Sequence, residues 1–112
     1  MFHRLLAGHF KADAVVSSRT LNVVRPIDLE AVSRLVEEAG LEGDGRTFKI
    51  AGDTMKIADG YVDCPWLMPQ VNRESVKFML RLCEETECMF VDLGHGEVVD
   101  TGVLRESIAA AR

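Results

Sequence analysis

The chain has 112 residues, of which 47% are hydrophobic and 28% charged, with nine glycines and three prolines. That is apolar material enough for one core without a metal or disulfide staple, and too little glycine and proline for a fibrous or disordered chain. Thirteen Lys and Arg against eighteen Asp and Glu leave a formal net charge of −5. With the basic residues scattered, this balance argues against nucleic acid and against an anionic membrane surface, both of which are held by clustered cations.

Residues 1–13 are ambiguous: Leu5, Leu6 and Phe10 suit a short helix or an edge strand. The apolar stretch here is broken by Gly8, His9 and Lys11, which makes it too short for the apolar region of a signal peptide. Residues 14–24 are rich in β-branched side chains and read as a strand, bent near Ser18. Residues 28–39 carry the clearest helical pattern, with Leu29, Val32, Leu35, Val36 and Ala39 on one stripe. Asp28 is placed to cap this helix, with Ile27 and Val32 as a hydrophobic staple around it, and Gly40-Leu41 fits a C-terminal stop in which Leu41 packs back on Val36.

Residues 47–51 and 54–58 alternate as a hairpin, Phe48 and Ile50 on one strand and Met55 and Ile57 on the other, with Gly52-Asp53 as the two-residue turn. The second strand is expected to run on toward Asp63 with a kink at Gly60. Residues 73–87 form the next helix, with Asn72 as its cap and Val71 and Val76 as the staple. Its apolar face, Val76, Met79, Leu80 and Cys83 widened by Phe78 and Leu82, suggests burial on two sides or contact with another chain. Residues 88–93 read as a strand, Gly94-His95-Gly96 as a turn into a short strand at 97–100, and 102–111 as a last helix.

The expected architecture is a single α+β domain spanning residues 1–112, a two-layer sandwich whose mainly antiparallel sheet carries its helices on one face. The element order resembles a ferredoxin-like βαββαβ arrangement over about residues 14–93, followed by a C-terminal hairpin strand and helix. That architecture hosts many unrelated functions, so function must be argued from sites.

Residues 59–72 are the most unusual segment. They hold the only Trp and the only Tyr, two of the three prolines and two acids. Pro65 and Pro69 take the chain out of the sheet, and a long loop with amphipathic aromatics suits binding. Asp59, Tyr61, Asp63, Trp66 and Asn72 are the candidate binding residues, although Trp66 would serve equally as a plug for the end of the core. Asp63, Asp92 and His95 are weaker candidates for acid–base chemistry, because histidine transfers protons near neutral pH and a carboxylate can orient it. The alternation of 88–93 puts Asp92 on the face of Phe90, and the simpler expectation is a solvated Asp92 and a His95 that merely occupies a turn. Arg73, at a helix start, is a possible holder of a small anion.

Three cysteines, Cys64, Cys83 and Cys88, are an odd number and point to a reducing compartment, hence the cytoplasm. They lack the paired tight spacing of zinc ligands, and no stretch has a strand–glycine loop–helix order for phosphate; neither a metal nor a cofactor is expected. No apolar run approaches the ~18 residues of a membrane span. Two functions are weighed. The first is a binding or interaction protein, homo-oligomeric, with residues 59–72 as its surface and an open sheet face bearing Phe90 suited to dimerisation. The alternative is a small enzyme that uses Asp63 or Asp92 with His95 in a pocket beside that loop.

Overall fold

Leu5–Phe10 form strand β1, around which the sheet is built. The computed structural model describes residues 5–50, 52–64 and 73–110, the side chains of 107, 108 and 110 excepted. Leu5, Leu6, Ala7 and Phe10 are all buried, so both faces of β1 are covered. Consecutive apolar residues at 5–7, with no polar alternation, suit a strand covered on both faces. β1 pairs antiparallel with β6 (Tyr61–Cys64) on one side and β7 (Met89–Asp92) on the other, with Leu5 opposite both Cys64 and Asp92 and Leu6 opposite both Asp63 and Val91. It is an interior strand, neither helix nor sheet edge.

Helix α1 (Ala12–Ser18) takes up the first part of residues 14–24, expected in a strand. Burial overrides the β-branched composition: Val15 is fully buried against the face of the sheet that carries Leu6, Phe10 and Val91. The hydroxyls of Ser17 and Ser18 donate to the carbonyls of Asp13 and Ala14, one helical turn back. Arg19 ends the helix in the left-handed region at φ 52°. Of the expected strand only β2 (Val23–Arg25) forms, paired with the far end of β1.

Helix α2 (Leu29–Glu38) follows the sequence pattern closely. The Asp28 carboxylate accepts from the N–H groups of Glu30 and Ala31, and Ile27 and Val32 lie in the same buried cluster. At the other end Gly40 takes φ 65°, and the N–H groups of Gly40 and Leu41 donate to Glu37 and Val36. This is the paired bond of a Schellman stop, which favours a residue without a Cβ at that position.

A short strand β3 (Glu42–Gly43) pairs with β4 (Thr47–Ile50), and β4 pairs with β5 (Asp53–Ile57). Ile50 opposes Asp53, so the turn falls at 51–52, one residue earlier than Gly52-Asp53; residue 51 is outside the described residues. β5 does not continue to Asp63. The chain reverses at 58–60, where the Ala58 N–H donates to the Tyr61 carbonyl, and returns as β6 alongside β5.

Helix α3 (Arg73–Thr86) buries Val76, Phe78, Met79, Leu80, Leu82 and Cys83. It packs on β1 and β7 and is flanked by α2 and by α4 (Thr101–Ala110). The width of its apolar face is therefore accounted for within one chain. The Ser75 hydroxyl, fully buried, reaches the Asp53 carboxylate at 2.8 Å and ties the start of α3 to the β4–β5 hairpin. The proposed cap and staple at Asn72 and Val71 lie outside the described residues. A two-residue strand, β8 (Glu97–Val98), closes the sheet beside β7, and Asp100 caps α4 by accepting from Gly102 and Val103.

Among the described residues the sheet has eight strands, ordered β3-β4-β5-β6-β1-β7-β8 with β2 attached to β1, and every pairing is antiparallel. This mixed α/β architecture with four helices differs from the expected six-element order. Helices also lie on both faces: α2, α3 and α4 cover the main core, while α1 covers a smaller cluster on the opposite side. Phe90 is fully enclosed in the main core, so it does not form an open face for dimerisation. No helix among the described residues is long and apolar enough to cross a membrane.

Candidate functional site

Helix α3 has a second pattern besides its apolar one. Arg73, Lys77 and Arg81 recur every four residues, which stacks them on one stripe away from the core. Leu80 and Glu84 flank that stripe, and α4 contributes Arg105 and Ala109 from across a narrow gap. The seven residues line a hollow of about 400 Å³. Four of the chain's thirteen basic residues therefore meet around one groove of a protein with net charge −5.

Acidic neighbours hold the cations in place. Arg81 pairs with Glu38 of α2 at 2.9 Å, Arg105 pairs with Glu84, and Lys77 lies 3.9 Å from Glu74. These pairs are solvent-exposed, so each is worth little in stability. Arg73 differs: its Nε is buried and meets no acceptor. A buried guanidinium donor without an acceptor is costly. The stripe on α3 was legible in the sequence as a spacing of four; the arrival of Arg105 was not.

The second arrangement joins two of the residues considered for acid–base chemistry. Asp92, at the end of β7, is buried, contrary to the expectation of a solvated carboxylate. Its Oδ2 lies 2.7 Å from Nδ1 of His95, and its Oδ1 accepts from the His95 backbone N–H at 3.2 Å. The imidazole is about one-third exposed. The turn at 93–96 folds the ring back because the Leu93 carbonyl accepts from the Gly96 N–H, which brings His95 over the end of its own strand. A carboxylate on Nδ1 is the arrangement that orients an imidazole for proton transfer, and it is equally an effective staple for a turn.

Asp63 does not join this pair across the sheet. It shares the face of Leu6, whereas Asp92 shares that of Leu5, so the two carboxylates project from opposite faces. Asp63 stands opposite Lys56 on β5. Tyr61, on the Asp63 face, is half-buried with its ring edge-on to Phe10 at 5.7 Å between centroids. It packs against the cluster under α1. Asp59 is exposed in the β5–β6 turn and borders a shallow depression with Arg46 and Lys56. Trp66 and Asn72 lie outside the described residues. The described part of the 59–72 segment thus sends Val62 and Cys64 into the main core, Tyr61 toward the α1 cluster and Asp59 to solvent.

No group of three or more His, Cys, Asp or Glu side chains gathers among the described residues in a form that could hold a metal ion. Comparison of the chain with family models, with curated proteins and with solved structures returns no match.

Proposed function

We propose that this protein is a binding protein whose ligand carries a phosphate or carboxylate group, held in the groove between α3 and α4. The observation that carries this reading is the convergence of Arg73, Lys77, Arg81 and Arg105 on one hollow of an otherwise acidic chain. Guanidinium groups match planar and tetrahedral oxyanions through paired N–H donors, and Arg73 brings a buried donor in need of an acceptor. Leu80 and Ala109 add an apolar floor for the body of a ligand whose head is charged. The groove replaces residues 59–72 as the favoured surface.

The test is a thermal-shift and NMR titration with inorganic pyrophosphate. Pyrophosphate is expected to raise the melting temperature and to move amide signals of α3 and α4. The effect should weaken as salt is added, because exposed charges are screened within about 10 Å at 0.1 M. Arg73→Ala with Arg105→Ala is expected to remove the response. An equal response in that double variant, or shifts spread over the whole surface, would count against the groove.

A second reading is favoured by the 2.7 Å contact between Asp92 and His95: a small enzyme in which His95 moves a proton and Asp92 orients its ring. Turnover of chromogenic esters or phosphoesters that disappears in both His95→Gln and Asp92→Asn supports it. Activity unchanged in both variants rules it out.

A further inference from the structure

The last turn of α3 and the second residue after it bring two thiols together. Thr86 closes the helix, Glu87 takes the left-handed conformation at φ 55°, and the Cys88 N–H donates to the Cys83 carbonyl at 3.2 Å. This is a Schellman stop, a turn that folds the side chain beyond the left-handed residue onto the side chain five positions earlier. At the end of α2 the same geometry pairs Leu41 with Val36. At the end of α3 it pairs two cysteines. Both side chains belong to the main core cluster, Cys83 inside it and Cys88 packed against it. Both are free thiols here, Cys83 buried and Cys88 half-buried.

We infer that Cys83 and Cys88 form a reversible disulfide site, oxidised by a hydroperoxide at Cys88 and closed by Cys83. The roles follow from exposure. Cys88 is half-buried and is the thiol that solvent reaches, and the neighbouring Cys83 favours its thiolate against the opposing effect of burial. Cys83 is buried, which keeps it protonated and out of contact with a peroxide, so it resolves rather than initiates. The nearby guanidinium of Arg105 favours the negative charge that Cys83 acquires as it attacks. Cys64, also near Cys83, is fully buried on β6, and enclosure keeps it out of the first step.

The steps balance. The Cys88 thiolate attacks one oxygen of the hydroperoxide and the O–O bond breaks. Cys88 becomes a sulfenic acid, and the departing alkoxide takes a proton from water to leave as the alcohol. Cys83 then loses its proton and attacks the Cys88 sulfur. The S–S bond forms, the S–O bond breaks, and hydroxide leaves with that proton as water. Two electrons pass from the two thiols to the peroxide, and a dithiol reverses the change by exchange.

The site is tested on the full chain with hydrogen peroxide, followed by N-ethylmaleimide under denaturing conditions and tryptic mass analysis. The peptide from Leu82 to Arg105 holds both Cys83 and Cys88, while Cys64 falls in the peptide from Ile57 to Arg73. The first peptide is expected to become two hydrogens lighter and maleimide-free, the second to carry maleimide, and dithiothreitol to restore the first. The folded chain should form the bridge about tenfold faster than the chain unfolded in urea, since the fold supplies the proximity. Cys83→Ser should accumulate sulfenic and sulfinic acid at Cys88, and Cys88→Ser should resist peroxide. Maleimide on both thiols after oxidation, a bridge to Cys64 or between two chains, or equal rates folded and unfolded would each overturn the inference. The rate comparison uses the natural chain, so it decides the matter even if a serine variant fails to fold.

Discussion

His95 grips Asp92 twice, through its ring Nδ1 at 2.7 Å and through its own backbone N–H at 3.2 Å. One buried carboxylate thus closes a turn of the chain from both the side chain and the main chain. The two bonds can be separated by substitution. Asp92→Ala removes both and leaves the His95 N–H without this acceptor, a loss expected to cost about 1–3 kcal/mol. His95→Ala removes only the ring contact and leaves the carboxylate its backbone donor, so about 0.5–1.5 kcal/mol is expected. Urea denaturation of the two variants checks the order. A His95→Ala loss equal to that of Asp92→Ala would mean that the ring, and not the turn, carries the interaction.

The second prediction concerns pH. His9 on β1 stands opposite Arg25 on β2. Burial and the nearby guanidinium hold the His9 imidazole below its ordinary value of 6.5. The unfolded chain therefore takes up this proton more readily than the folded one. The His9 contribution to stability is fully present above pH 6.5 and is lost as pH falls from 6.5 through the folded value. His9→Gln should flatten the stability profile below pH 6.5, and Arg25→Gln should flatten it in part. Denaturation midpoints for the natural chain and both variants, compared across this range, give the test. Identical slopes in all three would show that His9 has no part in the acid dependence.

The helices were legible where local chemistry and tertiary packing agree. At α2 the Asp28 cap, the apolar stripe and the Gly40 stop all act within the segment, and each is present. At α1 they disagree. Val15 and Val16 favour a strand locally, but one Val15 side chain buried under the helix decides the outcome, and that partner surface comes from β1 and β7. β1 is ambiguous in the sequence, between a short helix and an edge strand, for a related reason: a strand covered on both faces loses the alternation that identifies a strand. The site residues follow the same rule. The spacing of Arg73, Lys77 and Arg81 is local and visible, and so is that of Cys83 and Cys88. Arg105 reaches the groove through the docking of α4. The burial of Asp92 depends on where a sheet end meets its own turn, which no short pattern encodes.

The third prediction tests the cluster beneath α1. Gly8 sits opposite Tyr61 in the register of β1 and β6, and the Phe10 ring folds back across it to meet the Tyr61 ring edge-on. A Cβ at position 8 would lie 2.8 Å from Cζ of Phe10 and 2.9 Å from Cβ of Tyr61. The first neighbour is the tip of a side chain, but Phe10 is buried at 4% exposure and has little room to swing. The second is fixed to the backbone of β6. Gly8→Ala is therefore expected to destabilise the fold by about 1–3 kcal/mol through overpacking, despite the usual advantage of alanine over glycine in a strand. Phe10→Leu removes the ring tip and leaves the Tyr61 contact. In that background the cost of Gly8→Ala should fall without vanishing, because the two substitutions share a contact and do not add. A double-mutant cycle by urea denaturation measures the coupling. Strict additivity would show that the strain at position 8 comes from Tyr61 alone.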